Sequence, residues 1–150
     1  MERKKILVIE KEPKMMPRII RFLKEKHDVQ IVSSQEGLMN FKKTYEEKEH
    51  LQNGLEHYDC IIMEPYFSHH PRYTYEETDD AMQTGWFLYR DFMKDLPRPI
   101  AIWTYPTWQY MYGPNNHPDR KWGDNVIIIR KDGTNDYSLV ELVELLCKKR

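Results

Sequence analysis

Five short strand-like runs are distributed along this chain, and segments with a helical pattern lie between most of them. The runs occupy residues 6–9, 28–34, 60–63, 99–104 and 125–131. Apolar runs of this length favour strands that are covered on both faces, as in a parallel sheet. Because parallel neighbours need long crossover connections, the alternation predicts a three-layer α/β/α fold with a five-stranded parallel sheet.

Helical periodicity fills the intervals between the strands. It predicts helices over residues 13–26, 36–55 and 81–94, and a last helix that opens with the capping-box pair Ser138 and Glu141. The third of these helices carries five large apolar side chains that we expect to be buried: Trp86, Leu88, Tyr89, Phe92 and Met93.

Composition is that of an ordinary globular protein. With 23 Lys and Arg against 24 Asp and Glu, the net charge of -1 gives no broad electrostatic footprint for nucleic acid. The first apolar run ends at Ile9, too early for a signal peptide, and no stretch is long enough to cross a membrane. Cys60 and Cys147 fit neither a disulfide framework nor a metal motif, which favours reduced thiols. We therefore expect one cytoplasmic domain over residues 1–150.

Charged and hydroxyl side chains gather where the predicted strands end. In open parallel sheets, ligands bind beyond the carboxyl ends of the strands, so these residues are candidates for a site. They are, in chain order, Glu10, Lys11, Glu12, Glu64, Thr104, Arg130 and Lys131.

The order of these segments resembles the receiver domain of two-component response regulators. KKILVIEKEPKMMPRIIRFLKEKHDVQIV looks like the opening strand, acidic turn and first helix of that family, and YDCIIMEPYF looks like the strand that ends in its phosphorylated aspartate. TGWFLYRDFMKDLPRPIAIWT resembles the third helix and fourth strand, and VIIIRKDGTNDYSLVELVELL resembles the last strand, its lysine and the final helix. The resemblance implies a flavodoxin-like fold with strand order 2-1-3-4-5 and no output domain within these residues.

The phosphorylation site of that family is matched only in part. The resemblance implies that two acidic residues and an aspartate hold Mg²⁺, a Ser or Thr contacts the phosphoryl group, and a Lys neutralises it. Glu10, Thr104 and Lys131 match, but Lys11 stands at the second acidic position and Glu64 at the acceptor position. A cation cannot ligate Mg²⁺. A glutamate also moves the carboxylate outward by about 1.5 Å, in a site where reacting groups need close placement.

These departures predict a degenerate receiver that has lost Mg²⁺-dependent aspartyl phosphorylation, is not an enzyme and needs no cofactor. We expect it to bind another protein of a signalling pathway, or its own copy through the fifth strand and last helix, rather than a membrane or nucleic acid. The alternative is a functional receiver that accepts a phosphoryl group, on a nearby acid such as Asp59 or Glu12. Asp59 fits this alternative poorly because it falls at the start of the third strand.

Two loops depart from the receiver pattern. Residues 65–80 are rich in His and Tyr, so a further alternative is a small enzyme or metal-binding protein using His69, His70, Asp79 and Asp80, although this histidine pair lacks helical ligand spacing. Residues 105–124 are broken by Pro and Gly, which predicts that the fourth helix is short or missing. Four aromatic side chains there either bind a partner or fill the space of that helix: Trp108, Tyr110, Tyr112 and Trp122.

Overall fold

The strand-like runs of the sequence form one sheet flanked by helices. A computed structural model describes residues 3–10, 17–32, 55, 57–65, 73–74, 76–78, 84–104 and 121–130. Its strands are β1 (Lys5–Ile9), β2 (Asp28–Val32), β3 (Cys60–Met63), β4 (Ile100–Thr104) and β5 (Val126–Arg130). Its helices are α1 (Pro17–Lys26) and α2 (Thr84–Leu88), and α2 continues directly into a π-helical turn (Tyr89–Met93).

The sheet is entirely parallel, with strand order β2-β1-β3-β4-β5. The predicted parallel sheet and its strand order are therefore confirmed. The chain order reverses direction at β1, so the carboxyl ends of β1 and β3 lie side by side where a ligand site is expected in this class of sheet.

Alternate side chains of β1, β3, β4 and β5 enter two separate cores. In β1, Leu7 and Ile9 belong to the core beneath the 84–93 helix, whereas Ile6 and Val8 belong to the core beneath α1. This period of two is the ordinary geometry of a strand, and it explains why the central strands are apolar throughout. Cys60 is one of these buried residues.

Helix α1 packs one apolar face on the sheet, and a side chain from outside the helix caps its carboxyl end. Ile20 and Leu23 are buried against the strands. The guanidinium of Arg3 donates hydrogen bonds to the carbonyl oxygens of Lys24 at 3.1 Å, Glu25 at 3.1 Å and His27 at 2.7 Å. The last carbonyls of a helix have no partner within it, so Arg3 satisfies groups that the helix leaves open.

The helix over residues 84–93 is buried more completely than an amphipathic pattern requires. All five residues that the sequence marks for burial are buried, which confirms that prediction, and Phe87 on the opposite side is buried too. The ring of Tyr73 covers Phe87, with ring centroids 5.2 Å apart. The π turn is closed by the backbone N–H of Lys94, which donates to the carbonyl oxygen of Tyr89 at 2.9 Å.

Several predicted elements fall outside the described residues. These are the long helix over 36–55 apart from Leu55, which is buried, the region of the fourth helix, and the last helix. Within the part of the chain that the structure describes, no helix has the length and apolar character needed to cross a membrane.

Candidate functional site

Three polar side chains lie buried at the carboxyl edge of the sheet. Glu10 follows β1 and is 4% exposed, Glu64 follows β3 and is 5% exposed, and Thr104 ends β4 and is 1% exposed. Acidic side chains are seldom buried to this degree unless they are paired, so this edge has an unusual concentration of polar groups for the interior of a protein.

The register of β1 and β3 brings the two glutamates to adjacent positions. Ile9 pairs with Met63, and Glu10 and Glu64 are the next residues of the two strands. The backbone N–H of Glu64 donates to the carbonyl oxygen of Ile9 at 2.8 Å and so extends the ladder to this position. Because neighbouring strands are about 4.8 Å apart, the two carboxyl groups begin from backbone positions at that spacing.

Thr104 completes the edge from the other side of β3. Ile102 pairs with Met63, and Thr104 itself pairs with Arg130 at the end of β5. The Thr104 hydroxyl is buried and has no hydrogen-bond partner among the residues that the structure describes. A buried hydroxyl without a partner costs about 1–3 kcal/mol, so this group is suited to receive a ligand or a side chain at the site.

Three further residues predicted for this site lie outside the described part of the chain. They are Lys11, Glu12 and Lys131. Of the predicted constellation, the structure therefore brings together Glu10, Glu64 and Thr104, and the register of β4 and β5 places Arg130 next to Thr104.

The segment that follows Glu64 is held directly against the amino end of α2. The backbone N–H of Gly85 donates to the carbonyl oxygen of Pro65 at 2.9 Å. A Cβ at Gly85 would lie 2.6 Å from the Cα of Pro65, closer than real Cβ atoms come to any heavy atom. Only glycine permits this approach of two backbones, and the motif-based reading of the sequence did not identify it.

Part of the His- and Tyr-rich loop is anchored on the other side of the same helix. The hydroxyl of Tyr73 donates to Asp91 Oδ2 at 2.7 Å and lies 3.1 Å from the carbonyl oxygen of Phe87. Asp91 also receives a hydrogen bond from Arg90 Nε at 2.8 Å, and this bond raises the pKa of the Arg90 guanidinium. Tyr73 therefore contacts the helix over residues 84–93.

The candidate metal ligands of that loop, His69, His70, Asp79 and Asp80, are not among the described residues. In the portion of the chain that is described, no three His, Cys, Asp or Glu side chains form a group that could hold a metal ion.

One member of the predicted aromatic cluster is described, and it packs on the core. Trp122 is half-buried, and its ring meets that of Tyr89 edge to face, with centroids 5.1 Å apart. Trp108, Tyr110 and Tyr112 lie outside the described residues. The packing of Trp122 is the arrangement expected of a residue that fills space beside the 84–93 helix.

The parallel sheet with order 2-1-3-4-5 and a polar site at its carboxyl edge defines a flavodoxin-like α/β fold. Solved structures with this fold include a response regulator receiver protein from Sinorhizobium medicae, with a TM-score of 0.61, 18% sequence identity, and coverage of 98% of this chain and 96% of that one. A two-component response regulator from Clostridium difficile matches with a TM-score of 0.55 and 19% identity over 95% of this chain and 97% of that one.

A third structural neighbour is the receiver domain of a sensor histidine kinase from Pseudomonas aeruginosa, which was solved with a magnesium ion coordinated in its active-site cleft. Its TM-score is 0.52, with 14% identity over 98% of this chain and 99% of that one. No protein-family model and no curated protein sequence matches the chain. At these identities the likeness establishes that the chain has the fold of receiver domains.

Proposed function

We propose that this protein is a receiver-like signalling module that acts by binding another protein and does not undergo Mg²⁺-dependent aspartyl phosphorylation. The observation that carries the proposal is the residue at the carboxyl end of β3, where a buried glutamate, Glu64, stands at the position of the acceptor aspartate. The receiver-type fold of the structural neighbours supports a place in two-component signalling.

The donor set at this edge does not fit Mg²⁺. Glu10 and Glu64 offer carboxylate oxygens from adjacent strand ends, but Lys11 is the next residue after Glu10 in the sequence. Mg²⁺ requires a near-octahedral array of oxygen ligands, and an ammonium group has no lone pair to offer. The proposal therefore includes no step that uses the metal.

Charge compensation of the two glutamates supports the same proposal. Two carboxylates buried at neighbouring strand ends repel each other and lose hydration, so an opposite charge nearby is needed if both are ionised. An ammonium group at about 4 Å from a carboxylate contributes about 4 kcal/mol at an effective dielectric near 20, before the cost of desolvation. We assign this charge to Lys11 or Lys131, in place of the metal.

Incubation with acetyl phosphate and Mg²⁺ tests the proposal directly. The intact mass of the wild-type protein is expected to stay unchanged. A gain of one phosphoryl group that disappears in Glu64→Ala would overturn the proposal, because it would identify Glu64 as a working acceptor.

The matched control restores the two residue types that the family pattern has. In the double variant Lys11→Asp with Glu64→Asp, the second acidic position regains an oxygen ligand and the acceptor loses one methylene. We expect this variant to gain the phosphoryl group under the same conditions, which shows that the assay can detect an adduct on this scaffold.

The alternative acceptor Asp59 lies at the opposite edge of the sheet. Its Oδ2 accepts a hydrogen bond from the backbone N–H of Lys5 at 2.9 Å, at the amino end of β1. A phosphoryl adduct that survives Glu64→Ala and disappears in Asp59→Ala or Glu12→Ala would favour the functional receiver over the degenerate one.

Self-association is a second form of the proposed interaction. β5 is at the edge of the sheet, and its residues Val126, Ile127 and Ile128 are half-buried. Such an edge offers backbone groups and apolar side chains to another copy. Sedimentation equilibrium of the wild type and of Ile127→Lys distinguishes a homodimer through this strand, which the substitution weakens, from binding to a different protein only.

A further inference from the structure

The helix over residues 84–93 contacts the acidic site through its first turn. Gly85 donates its hydrogen bond to Pro65, and the ideal Cβ position of Gly85 is also only 3.1 Å from the carbonyl oxygen of Glu64. The backbone immediately after the acceptor position therefore rests on the helix with no side chain between them. There is no room for even one methyl group between the two backbones at this contact.

One turn further along, the same helix contacts the segment that leads into β5. The hydroxyl of Tyr89 accepts a hydrogen bond from the backbone N–H of Gly123 at 2.8 Å and donates one to Asn125 Oδ1 at 3.1 Å. A Cβ at Gly123 would lie 2.6 Å from this hydroxyl. Together with the ring contact to Trp122, these bonds fix residues 122–125 on the side chain of Tyr89.

Asn125 ties this segment to the end of the helix as well. Its side-chain amide donates to the carbonyl oxygens of Met93 at 3.4 Å, Leu96 at 3.2 Å and Arg98 at 3.4 Å. The segment 121–125 thus follows the position of the helix at two places, the Tyr89 hydroxyl and the carbonyls that follow the π turn.

Between these two contacts the helix is part of the packed core. Gly85 and Tyr89 are about 6 Å apart along the axis, and every residue from Thr84 to Tyr89 is buried. Close-packed interiors have low compressibility and transmit a displacement rather than absorb it.

We propose that this helix couples the charge of the acidic site to the position of residues 121–125, and that the Tyr89 hydroxyl is the contact through which the coupling passes. The proposal rests on the proposed function only in taking Glu64 to stand at the former acceptor position; it concerns how that position is connected to the rest of the fold and needs no phosphorylation there. A change of charge at Glu64 moves the Glu64–Pro65 backbone, the helix moves with Gly85, and Tyr89 carries the movement to Gly123 and Trp122.

NMR spectra of the full chain with Glu64→Gln as the perturbation test this coupling. The probes are the backbone amide of Gly123 and the indole N–H of Trp122. The substitution is made in the wild type, in Tyr89→Phe, which removes the hydroxyl and keeps the ring, and in Tyr73→Phe. The last is a matched control because Tyr73 bonds to the same helix through its hydroxyl but does not contact residues 121–125 in any described hydrogen bond.

We expect Glu64→Gln to shift both resonances in the wild type and in Tyr73→Phe, and to lose most of that effect in Tyr89→Phe. Gly123→Ala is a second test, because its methyl group would lie 2.6 Å from the Tyr89 hydroxyl and displace it. This substitution alters the amide of residue 123, so the indole N–H of Trp122 is the probe here, and its shift should be reduced likewise. Unchanged resonances in the wild type, or shifts of equal size in Tyr89→Phe and Gly123→Ala, would overturn the coupling. The phosphorylation assay is independent of this result, so the two proposals can fail separately.

Discussion

The backbone N–H of Gly85 and the carbonyl oxygen of Pro65 are joined by a hydrogen bond of 2.9 Å, although the two residues belong to a helix and to the end of a strand. The contact sets the amino end of α2 against the chain just beyond Glu64. It is possible because neither backbone presents a side chain at the point of contact, and this makes Gly85 a structural requirement of the site.

Replacement of Gly85 by alanine is expected to destabilise the protein. The added methyl group would meet backbone atoms of Pro65, which cannot rotate away, so we expect a loss of about 1–3 kcal/mol in the free energy of unfolding. Urea unfolding measures the loss. Lys94→Ala, at an exposed position after the same helix, is the control and should change stability by less than about 0.5 kcal/mol. Equal stability of Gly85→Ala and wild type would show that the backbones separate at little cost.

Removal of the Tyr89 hydroxyl is expected to weaken the fold through two lost hydrogen bonds. At about 0.5–1.5 kcal/mol for each bond, Tyr89→Phe should lose about 1–3 kcal/mol. Thermal unfolding compared with Tyr58→Phe provides the check, since the Tyr58 hydroxyl bonds to Gln30, an exposed residue of the edge strand β2. A larger loss in Tyr58→Phe than in Tyr89→Phe would contradict the role assigned to Tyr89.

Alkaline pH should destabilise the protein partly through the same tyrosine. Burial raises the pKa of Tyr89, and the charges of Asp95 and Asp124 act in the same direction, against the hydrogen bond from Gly123 that lowers it. The unfolded chain therefore releases this proton first, near the ordinary pKa of about 10, and stability falls as pH rises from there to the folded-state pKa. Below pH 10 this contribution is constant. In urea unfolding as a function of pH, Tyr89→Phe should show a shallower alkaline fall, and an identical slope would rule out the contribution.

The stability of the carboxyl end of α1 should depend on the planar set of guanidinium donors of Arg3 more than on its positive charge. Arg3→Ala removes three bonds to carbonyl oxygens at a half-exposed position, for which we expect a loss of about 1 kcal/mol. Arg3→Lys keeps the charge but not the planar set of donors, and should recover only part of that loss. Full recovery by lysine, measured by urea unfolding, would mean that the positive charge alone, through the helix dipole and the ion pair with Asp28, accounts for the effect.

Magnesium is expected to leave the stability of the wild type unchanged. A ligand raises the midpoint of thermal unfolding only if it binds the folded state, and the proposed function takes Lys11 to stand at the sequence position of an acidic Mg²⁺ ligand. Millimolar MgCl₂ should raise the midpoint in the Lys11→Asp and Glu64→Asp double variant and not in the wild type. A rise in the midpoint of the wild type that is lost in Glu10→Gln would contradict this prediction, because it would show that Mg²⁺ binds at Glu10.

Periodicity predicted the burial of most of the 84–93 helix but not of all of it. Trp86, Leu88 and Tyr89 follow a pattern that the sequence shows, whereas Phe87 is buried because Tyr73, from a loop earlier in the chain, covers it. A helical pattern reports the face that meets the sheet. It cannot predict that a residue on another face of the helix will be buried by a segment that is distant in the sequence.

Part of the candidate site could likewise be predicted from the sequence, and part could not. Glu10, Glu64 and Thr104 could be named from the sequence because each ends an apolar run, and strands of a parallel sheet present their carboxyl ends at one edge. The adjacency of the two glutamates depends on the pairing of Ile9 with Met63, which is a property of the sheet register.

Within the described residues, the sequence by itself determined the strands, most of the apolar cores and the polar residues Glu10, Glu64 and Thr104 at the strand ends, because these depend on local spacing of two or 3.6 residues. Only the tertiary structure decided that Gly85 touches Pro65 and that Tyr89 bonds to Asn125, 36 residues away. Such contacts depend on how whole elements pack and on the one-residue offset of the π turn. Neither leaves a periodic signal in the chain.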